Sequence, residues 1–487
     1  MSLCRVTTVG PSWARWVARK QATVPLTRPA STWSDVVATA KEALTSGAPA
    51  SAAASSVQSL TSDPLDVVGK DLSSLRHNIA SLLGSGHPSL DRIAKYYFAA
   101  EGKHVRPMIV LLMAKATNGL SAAWGAQRAA AVGEDVDVAI SPSRVLNDYN
   151  PSAPRPRPAQ TQTWADGLYT PQLQHTILPT QQRLAEITEM IHVASLLHDD
   201  VIDASPLRRG APSAPSTFGN KLSILGGDFL LGRASIALAR LRDPEVIELM
   251  STVIANLVEG EVMQLKAQVS DQVPVTDVDS SMPAREVLDR FWTAYAPDTP
   301  TGPSTQLFQF YLQKTYLKTA SLIAKSARSA TVLGGCGHMG ATASELSEEH
   351  RADAAAICDA AYTYGRHVGI AFQLVDDLLD FHATTEAFGK PSGGADLQLG
   401  LATAPVLYAW QEFPTSELGT LVQRRFSEPG DVEKALGYVH RSQGLPRTAA
   451  LARYHADVAQ KALRILPESD ARGALEKLNQ QIITRAK

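Results

Sequence analysis

The sequence predicts an all-α fold, and three observations carry that reading. Apolar residues recur at three- and four-residue spacing, as in Leu75, Ile79, Leu82 and Leu83, then Ile93, Tyr96, Tyr97 and Phe98, which is the period of a helix with one buried face. Strand-like alternation is nearly absent. Helix-start signals stand before long periodic stretches: Asp243-Pro244, a cap followed by proline at the first helical position, leads into Glu245–Lys266. With 487 residues and 44% hydrophobic content, the chain can bury an enzyme-sized core and carry appendages besides.

Along the chain, residues 1–60 come first. Arg5, Arg15, Arg19, Lys20 and Arg28 precede any acid, which first occurs at Asp35, and they are interleaved with Ser, Thr, Ala and Trp. This composition resembles a mitochondrial presequence; the plainer alternative is a disordered N-terminus that happens to be basic. Thr45–Ser59 lacks an apolar period and reads as linker. A single domain is expected over 61–487, with folding starting near Asp63 and an apolar helix around Met108–Met113. Two proline-rich interruptions, about 135–180 and about 270–305, read as insertions between core helices, although Ala284–Tyr295 could form a short helix. No unbroken apolar run is long enough to cross a bilayer. The net charge of −2 excludes a generalised polyanion-binding surface, so nucleic acid is not an expected partner. Cys4, Cys336 and Cys358 are far apart in sequence and lack CxxC spacing, which excludes a disulfide framework and a structural zinc site.

The chemistry is concentrated in two acidic motifs. His198-Asp199-Asp200-Val-Ile-Asp203 places carboxylates at i, i+1 and i+4 at the end of an apolar helical segment, so that Asp199 and Asp203 share a face. Asp376-Asp377-Leu-Leu-Asp380 repeats the spacing on a second apolar segment. Clustered, half-buried carboxylates need a compensating cation, and hard oxygen donors suit Mg²⁺, which keeps waters and shares itself with substrate phosphates. One such motif alone could be a solvated acidic face. Two, accompanied by basic partners, point to a metal-bound diphosphate.

Four basic groupings lie nearby in sequence. Lys103-His104-Val-Arg106-Pro107 precedes a helix start, where anions are favoured. Arg208-Arg209 follows the first acidic motif and can fork onto phosphate oxygens. Lys318-Thr319 lies in an otherwise apolar helix, and Lys390 in a glycine-rich stretch beyond the second motif. Each alone could be an ordinary surface group.

With these residues in place the chain resembles the trans-prenyltransferase family, most closely the mitochondrial long-chain polyprenyl diphosphate synthases that make the ubiquinone side chain. The resemblance runs from about residue 70 to the end, apart from the two interruptions. It implies an isoprenoid-synthase-like bundle of long helices around a central cavity, usually dimeric, and an enzyme that lengthens an allylic diphosphate with isopentenyl diphosphate units. Matched by motif, it implies that Asp199, Asp203, Asp376, Asp377 and Asp380 serve Mg²⁺, with Asp200 filling out the first motif. Arg208, Lys318, Thr319, Gln373 and Lys390 would hold the allylic diphosphate; Lys103, Arg106, His192 and Arg209 would hold isopentenyl diphosphate. It also places the protein in the mitochondrial matrix or at the matrix face of the inner membrane, with peripheral membrane contact. Ala194 and Ser195, one turn before Asp199, are small where a bulky aromatic would close a tunnel, so a product longer than farnesyl diphosphate is expected. Alternatives are a shorter-chain geranylgeranyl diphosphate synthase, a non-catalytic or co-catalytic subunit of a heteromeric synthase, and, less well, a terpene cyclase, which would not need two DDxxD motifs.

Overall fold

The computed structural model describes residues 62–83, 85, 87–99, 104–132, 176–208, 210–268, 302–338, 346–382 and 394–485. The expected presequence and most of both interruptions lie outside the described residues, as do Lys103, Arg209 and Lys390.

The described chain is built almost wholly of helices. The first, α1 (Pro64–Leu82), begins where the sequence places it: Asp63 accepts a hydrogen bond from the Leu65 amide at 3.0 Å, and proline occupies the first helical position. Next come α2 (Pro88–Ala99), α3 (Val105–Thr117), α4 (Trp124–Val132) and α5 (Pro179–Ile202). The start of α5 corrects the expected end of the first interruption at residue 180. Pro179 opens the helix instead of breaking it, because its missing N–H falls where a first-turn amide has no partner anyway.

Beyond α5, a two-residue antiparallel pair, β1 (Leu207–Arg208) and β2 (Ala211–Pro212), sets Leu207 opposite Pro212. Then follow α6 (Ala214–Phe218), α7 (Asn220–Arg240), α8 (Pro244–Gln268) and α9 (Thr305–Thr315). A widened π turn, Tyr316–Ala320, links α9 to α10 (Ser321–Thr331), and a second π turn, Val332–Cys336, ends it. The longest helix, α11 (Glu348–His382), has 35 residues and rises about 50 Å at the usual pitch. The remainder is α12 (Ala395–Gln398), α13 (Ala404–Glu412), α14 (Leu418–Gln423), α15 (Asp431–Arg441), α16 (Gly444–Ala462) and α17 (Asp470–Thr484).

One large core holds α1, α2, α3, α5, α7, α10, α11 and α17 together. Helix α3 is buried from Pro107 through Ala114, the pattern of a helix that is apolar all round and packed on every side. It lies against α5 and α10, and α11 packs along α10 and α16. Two glycines bring backbones unusually close. A Cβ on Gly369 of α11 would stand 2.5 Å from Ala320 Cα, and one on Gly260 of α8 would stand 2.7 Å from Lys318 Cγ. Helices α8 and α11 therefore both press against the first π turn, and Lys318 and Thr319 lie between them.

Two further features of the fold concern α7 and the cysteines. Helix α7 is long and apolar enough to cross a membrane, with a mean hydropathy of 1.4 and 39% of its span buried. Its glycines, serines and Asp228 interrupt any unbroken run, which hid this in the sequence. It packs on α5 along one side and exposes Ile224, Leu225 and Ile236 on the other. Cys336 and Cys358, distant in sequence, come together between the second π turn and α11, where the Cys358 thiol lies 3.4 Å from the Cys336 carbonyl oxygen; both are free.

Candidate active site

The first acidic motif occupies the last turn of α5, and its three carboxylates have separate surroundings. Asp200 is fully buried. The Tyr97 hydroxyl and the Arg208 guanidinium both donate to it, with Arg208 Nε at 2.9 Å from Oδ1, and Tyr97 in turn accepts from the Ala214 amide at 2.7 Å. This network ties α2, α5, the β hairpin and α6 together. Asp199 and Asp203 lack such a partner set. Burial, then the charges of Glu261 and Asp203, push Asp199 up to about 7 against the pull of Lys318. Asp203, the residue closing α5, is raised for the same first reason, burial. Both are carboxylates short of positive charge.

The second motif lies near the end of α11, and here every member is engaged. Asp377 is buried and accepts from the Tyr311 hydroxyl and from Gln373 Nε2 at 2.9 Å, while Thr319 donates to Gln373 Oε1 at 2.8 Å. Burial still holds Asp377 above the usual carboxylate range. Asp380 accepts from the amides of Ala395 and Asp396 at 2.9 and 3.2 Å, which anchors the start of α12. Asp376 is ion-paired with Arg485, whose guanidinium also lies 4.4 Å over the Phe372 ring.

Lys318 joins the two motifs. It is paired with Glu261 of α8, it pulls on Asp199 and Asp203, and it lines a cavity of about 140 Å³ with Lys314, Thr319, Gln373, Asp377 and Asp396. Asp396 is pushed to about 7 by burial and then by the charges of Asp377 and Asp380, with Asp203 contributing from the other motif. Asp377 of the second motif lines this cavity directly, and Lys318 at its wall also acts on Asp199 and Asp203 of the first.

Other expected residues form a second group. Arg106, near the start of α3, lies 3.0 Å from His192 Nε2, and His104 lies 3.2 Å from Glu189. His104 adopts a left-handed backbone, φ 43°, as it turns the chain into α3. Arg106 and His192, assigned together by the resemblance, are in contact. Ala194 is fully buried in the main core, and Ser195 turns its hydroxyl onto the His192 carbonyl at 2.8 Å.

Several residues of the site escaped sequence reasoning. Glu261 and Gln264 stand one turn apart on α8 after Gly260, in a segment that reads as ordinary helix. Lys314 precedes Lys318 by four residues, a spacing visible in the sequence; burial lowers its pKa. Tyr97, Tyr311 and Arg485 carry no local signal at all.

A profile of the polyprenyl synthetase family matches residues 155–439. The chain belongs to the polyprenyl synthetase family. Among relatives of this family, it is 49% identical to the "Probable hexaprenyl pyrophosphate synthase, mitochondrial" of Neurospora crassa, covering 88% of this chain and 82% of that protein. It is 43% identical to the "Hexaprenyl pyrophosphate synthase, mitochondrial" of Saccharomyces cerevisiae, over 88% and 92%. Among solved structures it is similar to the apo form of an Arabidopsis medium/long-chain length prenyl pyrophosphate synthase, at 31% identity and TM-score 0.53, covering 87% of this chain and all of that one.

Proposed function

We propose that this polyprenyl synthetase is a Mg²⁺-dependent trans-polyprenyl diphosphate synthase that extends an allylic diphosphate with successive isopentenyl diphosphate units to a long all-trans polyprenyl diphosphate for ubiquinone. The observation that supports it best is that Lys318, which lines a cavity with Asp377 of the second motif, also acts on Asp199 and Asp203 of the first. The names of the relatives support long products and a mitochondrial location, in the matrix or at the matrix face of the inner membrane, and agree with residues 1–60 serving as a presequence and linker ahead of a 61–487 synthase domain.

The donor set fits Mg²⁺. Asp199 and Asp203 are oxygen donors whose nearby cations do not offset their burial, and among the described residues no three His, Cys, Asp or Glu side chains close a metal site by themselves. An ion that completes its shell with water and phosphate oxygens suits that arrangement. Asp199, Asp203, Asp376, Asp377 and Asp380 would hold it, and Arg485 would have to release Asp376. When bound, Mg²⁺ would neutralise charge developing on the departing diphosphate.

The protein's own residues do the rest. Arg208, Lys318, Thr319, Gln373 and Lys390 would hold the allylic diphosphate, with Lys318 strengthening its contact as the carbon–oxygen bond breaks. Lys103, Arg106, His192 and Arg209 would hold isopentenyl diphosphate so that its alkene meets the allylic cation; the released diphosphate can accept the proton lost afterwards. Leu196, Leu197, Leu374 and Phe372 would exclude water from the cation. Ala194 and Ser195 would leave room for the growing tail, each isoprene unit gaining a few kcal/mol at about 0.8 kcal/mol per buried CH₂. Exposed Ile224, Leu225 and Ile236 of α7, with Val258 and Val262 of α8, support self-association, as a homodimer or with a related subunit.

Purified protein given farnesyl diphosphate, labelled isopentenyl diphosphate and Mg²⁺ should yield products longer than farnesyl diphosphate, and chelation should abolish them. Activity only on adding a second subunit would instead establish a heteromer; no product under either condition would overturn the proposal.

A further inference from the structure

We propose that Lys314 is a second diphosphate-binding ammonium of this cavity, acting beside Lys318 on the same anionic group; this rests on the synthase reading above. The register puts both lysines on one side, since they are four residues apart across the entry to the first π turn. Both line the same cavity of about 140 Å³. Among the described residues no hydrogen-bond acceptor reaches the Lys314 ammonium, and the Tyr311 ring, 6.0 Å away, lies at the limit of useful cation–π attraction.

An ammonium carries three donors, and the half-buried Lys314 side chain presents its own to the cavity it lines. Asp377 and Asp396, which share the cavity, supply opposite charge to Lys314 while no substrate is bound. If divalent ions draw on Asp377, Lys314 loses that compensation unless an anion enters with them. A diphosphate does so: its oxygens accept from a lysine as from a point charge and need no particular angle of approach.

The test is calorimetric titration of inorganic diphosphate in saturating Mg²⁺, with the KM for isopentenyl diphosphate measured alongside. Lys314→Gln should weaken diphosphate binding about tenfold or more, the loss typical of a charge-assisted contact, while Lys314→Arg recovers most of it and the isopentenyl diphosphate KM stays level. Lys314→Gln binding like wild type while Lys318→Gln binds poorly would overturn the Lys314 role and leave the synthase reading intact. Wild type failing to bind diphosphate would remove both. Should Lys314→Gln not fold, footprinting of the wild type decides: diphosphate must shield Lys314 from acylation, and unchanged labelling contradicts the proposal.

Discussion

The two aspartate triplets share a spacing and differ in nearly everything else. On α5 the middle residue, Asp200, is locked by Tyr97 and Arg208, while Asp199 and Asp203 on either side face Glu261, each other and one shared lysine. On α11 all three are engaged: Asp376 by Arg485, Asp377 by Tyr311 and Gln373, Asp380 by the start of α12. The same aspartate spacing therefore yields one triplet with unmet negative charge and another whose members are engaged by neighbouring groups. The spacing decides which carboxylates share a helix face; the elements packed around that face decide what each can do.

The sharpest way to break this comparison is to remove the unmet charge. Asp199→Asn should cost about 10³-fold or more in turnover, the scale of losing charge stabilisation at a departing group, yet leave the thermal midpoint equal or higher because a poorly compensated carboxylate is gone. A large drop in the midpoint would place Asp199 in the same structural class as its neighbour. Asp200→Ala should do the reverse to the fold: it strands the Arg208 charge and the Tyr97 hydroxyl, and denaturant unfolding should show a loss of about 3–5 kcal/mol.

A histidine on the helix that carries the second triplet and its partner on α16 supply a pH test. His367 of α11 and His455 of α16 are buried with their Nδ1 atoms 2.8 Å apart. Burial holds His367 down to about 3 and His455 well below the ordinary value, so both are neutral in the fold. A depressed base binds protons in the unfolded chain first, so stability is complete above the unfolded pKa near 6.5 and falls as the pH drops below it. At pH 5 His367 should cost about 2 kcal/mol and His455 should add to it in the same direction, read as a falling unfolding midpoint between pH 7 and pH 5; His455→Gln should flatten that slope.

The position of α11 itself is set by Gly369 against Ala320. Gly369→Ala should cost about 1–3 kcal/mol through overpacking and weaken diphosphate binding by displacing Gln373 and Asp377 from Thr319. Unchanged binding would mean that this close approach does not place the second triplet. The smallest effect is expected at Arg485, whose partner Asp376 is about 40% exposed. Arg485→Ala should change stability by under about 1 kcal/mol and tighten Mn²⁺ binding severalfold at most, measured by electron paramagnetic resonance.

Much of this was legible in the sequence. Helical period, the Asp63 and Asp243 starts and the two triplets all rest on contacts within a few residues. The partners were not legible, because each comes from a distant segment: Tyr97 lies 103 positions before Asp200, and Arg485 stands at the far end of α17. The π turn at Tyr316–Ala320 has no distinguishing composition, and the close approach of α8 and α11 to it comes from distant segments. Pro179, at the edge of a proline-rich stretch, opens α5, and its role was not legible because proline both ends and begins helices. Glu261 was passed over because a single acid on a long amphipathic helix has the pattern of a solvated face.

If both triplets act on one metal-bound diphosphate beside Lys318, their contributions to binding it are coupled. A double-mutant cycle on Asp199→Asn and Asp377→Asn, read by calorimetric binding of inorganic diphosphate in Mg²⁺, tests that coupling most directly. The account predicts strong non-additivity, with the double variant scarcely worse than either single one; independent losses that simply add would contradict it.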